Sequence, residues 1–267
     1  MAIPSRQIGW GTEENLLWQI SKQLESLTKV VYNIPNNTTT TSTTSTTTST
    51  TSTTTAAPVP GNVEIAASSD FDIVGDFTIE MFVNVSNFDG FPRPYSFGAY
   101  PAPNAISIEG GGSSLYFLAN GAPLLSASIS FAPGTWYHIC VTGVGSTAYL
   151  LVDCVQVNTA AYSGSISSSG LPLTIGYGNE PNSYFNGKMS NFRWTNTQVY
   201  DTAGFTVPTS PLINLVGTKL LIFQGNNLPL ELSDNSGNGH NATNAGASYS
   251  ALNPFSGVEG SLQMGVV

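Results

Sequence analysis

Carboxylates that could do acid–base work are scattered along this chain. Asp70, Asp72, Asp76 and Glu80 fall across a turn and the start of a strand, and Glu109, Glu180 and Glu231 stand alone. Hydrolysis of a glycosidic bond needs two carboxyl groups fixed across it, and no spacing here sets up such a pair. His138 and His240 have no Cys or His partner at metal-ligand spacing. Neither a nucleophile elbow nor a phosphate-cradling glycine loop occurs. We therefore expect no catalysis. Two stretches suggest binding instead: Asp89-Gly90-Phe91-Pro92-Arg93-Pro94-Tyr95 and Tyr177-Gly178-Asn179-Glu180-Pro181-Asn182-Ser183-Tyr184. Both read as loops that set aromatic rings beside amide, carboxylate or guanidinium groups. Rings stack on sugar faces, and polar groups pair with hydroxyls. The candidate glycan contacts are Asp89, Arg93, Tyr95, Tyr177, Asn179, Glu180 and Tyr184. The same rings could instead fill a sheet edge or a contact between subunits. Side chains alternate along a strand, so a buried Phe185 would turn Tyr184 the other way.

The elements that must position these residues read as short strands. From Asp76 to Val85 the pattern alternates, with Phe77, Ile79, Met81, Val83 and Val85 on one face. Trp136 to Val144 and Thr147 to Val157 form a hairpin through Gly145-Ser146. Leu171 to Tyr177, Tyr184 to Thr195 and Lys219 to Gln224 continue the series. Asn120-Gly121, Pro133-Gly134, Asn186-Gly187 and Ser236-Gly237-Asn238-Gly239 mark turns. Beyond residue 62 no helical period lasts more than a turn, so we expect an all-β, two-sheet antiparallel sandwich. If Gly145-Ser146 is the hairpin turn, Cys140 faces Leu151 and is out of step with Cys154. Both cysteines are then buried free thiols.

The first quarter of the chain is different. Thr12 is a good N-cap with Glu13 and Glu14 in the first turn, where the helix dipole favours them. Leu17, Ile20, Leu24, Leu27 and Val31 then form an a/d seam, which predicts a short amphipathic, coiled-coil-like helix. Ile34-Pro35 ends it. So short a helix is marginal alone, and we expect it to self-associate or dock onto a larger particle. Leu at a with Ile at d leans towards more than two strands. Residues 38 to 55 are an unbroken run of Thr and Ser that can bury no core, hence a spacer. Such tracts commonly serve as O-glycosylated stalks. The expected organisation is an anchoring helix in 1–35, a stalk in 36–61 and a β domain in 62–267.

Only 9% of residues are charged, with 16 acidic against 7 basic, where about a quarter is usual. Nucleic acid and anionic membrane surfaces are poor partners for such a chain, because no basic patch exists to displace counterions from phosphates. So neutral a surface suits shielding by neighbours in an assembly. No segment reaches the length of a membrane span, and no basic-then-apolar secretory signal opens the chain. We expect synthesis in a cytoplasm and release by lysis or by a route the sequence does not show.

Gly75-Asp76-Phe77-Thr78-Ile79-Glu80, Thr135-Trp136-Tyr137-His138-Ile139-Cys140-Val141-Thr142, Leu151-Val152-Asp153-Cys154 and Tyr184-Phe185-Asn186-Gly187-Lys188-Met189-Ser190-Asn191-Phe192-Arg193-Trp194 resemble, in order and spacing, the laminin-G/concanavalin A-like jelly roll. The resemblance runs over about 62–255. It implies a binding fold, since many members recognise glycans, others proteins, and some only build structure. The family usually has Gly where this chain has Cys154, which puts that turn in question. Hydrolases of the class set two Glu and an Asp at alternating positions on one strand, a pattern missing here. Many relatives hold Ca²⁺ with loop carboxylates, which makes Asp153, Asp234 and Asn235 the ligands to try; Asp-Asn-Ser-Gly is equally a plain turn. The segment from Ile3 through Trp10 to Leu24 resembles N-terminal segments of structural proteins of phages and large DNA viruses. That implies a virion or extracellular appendage: a homo-oligomer, trimer or filament, joined to a capsid or fibre and displaying a lectin-like head towards host-surface glycans. The alternative is a dedicated lectin or adhesin whose role is glycan recognition itself.

Overall fold

Alternating β-branched and aromatic residues extend the backbone into strands wherever Gly, Asn and Asp punctuate the pattern. The computed structural model describes residues 61–225, 231–255 and 260–265. Seam residues Leu17, Ile20, Leu24, Leu27 and Val31 and the Thr/Ser tract lie outside the described residues. In chain order the first strands are β1 (Asn62–Ile65), β2 (Ile73–Val74), β3 (Phe77–Val85), β4 (Tyr95–Phe97), β5 (Asn104–Glu109) and β6 (Ser114–Ala119). They continue with β7 (Ala122–Ser128), β8 (Trp136–Val144), β9 (Thr147–Val152), β10 (Val155–Ala161), β11 (Ser165–Ile166) and β12 (Leu173–Ile175). Last come β13 (Gly187–Thr195), β14 (Thr218–Ile222), β15 (Thr243–Ala245), β16 (Ser248–Ser250) and β17 (Ser261–Met264).

These build two large antiparallel sheets, with β2 and β11 pairing separately as a two-stranded one. One runs β15-β1-β12-β4-β5-β6-β7; the other runs β10-β9-β8-β3-β13-β17-β16, with β14 also pairing β13. Asn191, at φ 55°, breaks the pairing of β13, so β17 and β14 share one edge while β3 follows the other. The apolar faces meet in a single core containing Phe77, Ile79, Met81, Val83 and Val85 from β3 and Ile106, Ile108, Leu115 and Phe117 from the facing sheet. This is the expected all-β jelly-roll sandwich.

Several turns carry local corrections. Asn120-Gly121 and Gly145-Ser146 are hairpin turns, and Cys140 pairs Leu151 as the register requires; both thiols are free. The strand expected over 147–157 is instead two, β9 and β10, joined at Asp153 (φ 48°) and Cys154 (φ 65°). The turn survives without glycine, with Cys154 in the left-handed region that glycine tolerates best. Asn186-Gly187 is not a turn, since Gly187 opens β13. A side chain there would meet the Asn84 backbone oxygen at 2.2 Å, so glycine serves close strand approach.

The outward face of β3 is buried as well, which its alternation did not predict. The segment after β13 covers it, and Tyr200, Leu212 and Ile213 reach the sheet from there. Beneath it, Glu80 accepts from Arg193 Nε (2.8 Å) and the Tyr200 hydroxyl (2.9 Å), and lies 3.0 Å from His138 Nε2. Arg193 Nη1 donates to the Ile213 carbonyl at 2.8 Å. Burial alone would raise the Glu80 pKa, but His138 and Arg193 outweigh it and hold the carboxyl below its ordinary value. His138 is thus a sheet residue within a paired network.

Candidate functional site

Three loops converge over the outward face of the seven-stranded sheet, and small residues let them do so. Gly90 (φ +74°) lies against the Asn182 carbonyl, and the Phe91 N–H donates to that oxygen at 2.8 Å. Gly178 makes room for Arg93: a Cβ there would sit 2.5 Å from Arg93 Cδ. Ser183 ties the second loop, accepting from the Gly178 N–H (3.1 Å) and donating to the Glu180 carbonyl (2.6 Å). Arg93 itself is flanked by prolines whose carbonyls accept from Ile108 and Gly176, which extends the pairing of β4 to both sides. The third loop, between β4 and β5, brings in Tyr100, whose N–H donates to Glu180 at 3.2 Å.

The result is a cleft of about 390 Å³. Phe91, Tyr100 and Tyr116 supply its aromatic walls, Leu118, Pro123 and Pro181 add apolar surface, and Arg93, Glu109 and Glu180 supply charge. Phe91 and Tyr100 remain 51% and 58% exposed, so their rings are open to a ligand. Arg93 is only 2% exposed. Its Nη2 pairs with Glu180, and its guanidinium sits 5.7 Å from the centroid of the Tyr100 ring. Burial lowers the Arg93 pKa, opposed by the charges of Glu180 and Glu109. Its Nε and Nη1 have no protein acceptor. A buried donor without an acceptor is costly, so Arg93 keeps hydrogen-bonding capacity that the protein does not use.

Of the candidate residues, the cleft brings together Arg93 and Glu180. Asp89 is exposed on the first loop outside the cleft lining, its N–H bonded to Asn87. Asn179 donates its amide to Thr174 Oγ1 at 3.1 Å. Tyr95 must be corrected: it lies in β4, fully buried edge-on to Phe97, Phe192 and Trp194, with its hydroxyl donating to Asn104 at 2.7 Å. Burial raises its pKa well above the ordinary value. Phe185 is fully buried and Tyr184 does face away from it. Tyr184 then stacks on Tyr177, centroids 4.3 Å apart and planes 10° from parallel, so each ring spends a face on the other. Neither belongs to the cleft lining.

Tyr100, Tyr116 and Glu109 were missed in the sequence. Tyr116 had a readable signal, as it alternates with Leu115 and Phe117, whose core positions force it outward. Tyr100 had none, because only the loop path brings it to Arg93.

The calcium candidates make hydrogen bonds within the protein, where the ion would take six to eight oxygens. Asp234 Oδ1 accepts from the Leu221 and Ser236 N–H groups, and Oδ2 accepts from Ser236 Oγ and the His240 N–H. Its carboxylate is thus spent on its own turn. The Asn235 amide donates to Gln224, and Asp153 Oδ1 accepts from the His138 N–H at 2.8 Å. Among the described residues no three His, Cys, Asp or Glu gather where they could hold a metal ion.

Two packed antiparallel sheets carrying a loop-built cleft define the class. The chain belongs to the concanavalin A-like lectin/glucanases superfamily, whose laminin G profile matches residues 58–202. Its fold is similar to that of a candidate carbohydrate binding protein from Bacteroides ovatus: TM-score 0.52, 16% identity, 70% of this chain and 56% of that one. The chain thus spans little more than half the length of the Bacteroides protein. Weaker likenesses are to a heptameric SAP-like pentraxin from Limulus polyphemus (TM-score 0.40, 14% identity, 54% and 79% covered) and to domains LG4-5 of mouse laminin alpha1 (0.37, 16%, 57% and 45%). No curated protein matches the chain.

Proposed function

We propose that this protein is a glycan-recognising head displayed on a virion or surface fibre, and that it holds its ligand without transforming it. One observation carries the reading: three aromatic rings, two of them more than half exposed, wall a cleft that also holds the Arg93–Glu180 pair and Glu109. That combination suits a sugar, whose ring stacks while its oxygens accept and its hydroxyls donate. Glu180 is engaged by Arg93 and the Tyr100 N–H, which suits positioning better than proton transfer. Display rests on the sequence, through the a/d seam, the Thr/Ser tract and the likeness of the N-terminal segment to particle proteins. Self-association through the seam would give a trimer or filament. A glycan array probed with the full chain tests recognition. Saccharide signals above background are expected, and an array blank at high protein density contradicts the reading.

A further inference from the structure

We infer that the ligand of this cleft is an extended, neutral oligosaccharide lying across β5, β6 and β7, with Tyr116 at the junction of two subsites. The inference rests on the glycan reading above and narrows it. Leu115, Phe117 and Leu125 point into the core, so the alternate residues of β6 and β7 face outward. Pairing sets them in rows across the strands: Ser107, Tyr116 and Ser126 in one, Glu109, Ser114 and Ser128 in the next. A second hollow of about 110 Å³ lies on these rows, lined by Ser114, Tyr116, Ser126 and Ser128. It shares Tyr116 with the main cleft. Small hydroxylated side chains leave a polar shelf beside that ring, on β7, the last strand of the sheet. Ser126 and Ser128 are exposed, and among the described residues neither hydroxyl makes a hydrogen bond. A single sugar would fill the aromatic cleft and leave this shelf unused; a chain of several would cover both.

Charge selects the class of sugar. The cleft holds one cation, Arg93, partly neutralised by Glu180, and a second carboxylate at Glu109. The chain as a whole carries a net charge of −9. A uronic or sulfated sugar would bring anions to a surface already negative. A neutral sugar meets no such repulsion, and its hydroxyls can donate to Glu109.

The test is titration of the full chain with neutral gluco-, manno- and galacto-oligosaccharides of one to four units, and with oligogalacturonate as the acidic counterpart. Affinity should rise at least about tenfold from one unit to four in the neutral series that binds, and oligogalacturonate should bind more weakly. Ser126→Ile with Ser128→Ile fills the shelf with residues that suit a strand and should remove that rise while the thermal melt stays near wild type. Affinity independent of length, a tetrasaccharide untouched by the double variant, or tighter binding of oligogalacturonate would each overturn the inference while leaving glycan recognition standing. Binding of no saccharide in either series would instead remove both.

Discussion

Gly90 and Asn182 are pressed together so closely that a Cβ on Gly90 would lie 2.1 Å from the Asn182 carbonyl oxygen. This contact, with the adjoining Phe91 N–H bond, fixes the loop carrying Arg93 against the loop carrying Glu180. Gly90→Ala adds the clash to a φ of +74° that non-glycine residues resist. It should cost at least about 1 kcal/mol of stability and weaken ligand binding more than tenfold, because the cleft cannot close. Melting and titration of the variant check both effects. Wild-type behaviour in both would mean the loops are held elsewhere.

The Glu80 network should set the acid limit of stability. Its pKa is depressed in the folded chain, so its contribution is present above the unfolded value of about 4.3. The contribution is lost as pH falls through the still lower folded value. Glu80→Gln leaves Arg193 buried without its counter-charge and should cost about 3–5 kcal/mol at neutral pH. Denaturant melts at pH 7 and pH 3 should show a larger difference between the proteins at pH 7 than at pH 3.

Glu231 acts in the opposite sense. It is fully buried, and burial raises its pKa to about 8, only partly offset by the Gly225 backbone N–H. A raised folded pKa gives stability that is complete below the unfolded value and lost as pH rises through the folded one. Between pH 5 and pH 8 the protein should therefore lose on the order of 3 kcal/mol, seen as a falling thermal midpoint. Glu231→Gln cannot ionise and should flatten that dependence. An equal decline in the variant would place the titrating group elsewhere.

Assembly is tested at the seam. Leu24→Asp would bury an unpaired charge between packed helices, at a cost of several kcal/mol, roughly the range of an uncompensated buried ion. Native mass measurement should then report monomer, with the melting transition of the β domain retained. A variant that assembles as the wild type does would show that the seam is not the contact.

Much of the sandwich could be read from the chain because its information is local. The alternation of Phe77 to Val85 and the turns at Asn120-Gly121 and Gly145-Ser146 depend on neighbours in sequence. The site was legible only in part. Arg93 and Glu180 stood out by composition, yet nothing near either one announced their pairing, which needs Gly90 and Gly178 to let two distant loops touch. Tyr95 misled for a related reason. It ends a polar, proline-rich stretch that looks like loop, but its ring falls on the core side of a three-residue strand too short to show alternation. Tyr177 and Tyr184 had the right spacing to oppose each other, and mutual stacking is what that spacing produced.

The central claim is that the cleft around Arg93 and Tyr100 is the binding site. Its most direct test is the affinity of the strongest array ligand for the wild-type chain, Tyr100→Ala, and the double variant Tyr177→Ala with Tyr184→Ala. Tyr100 is more than half exposed, so its removal should leave the fold intact. Loss of stacking should weaken binding by about tenfold, whereas the double variant should bind within about twofold of wild type. Undiminished binding by Tyr100→Ala, with binding lost from the tyrosine pair, would contradict the account and move the site to the stacked tyrosines.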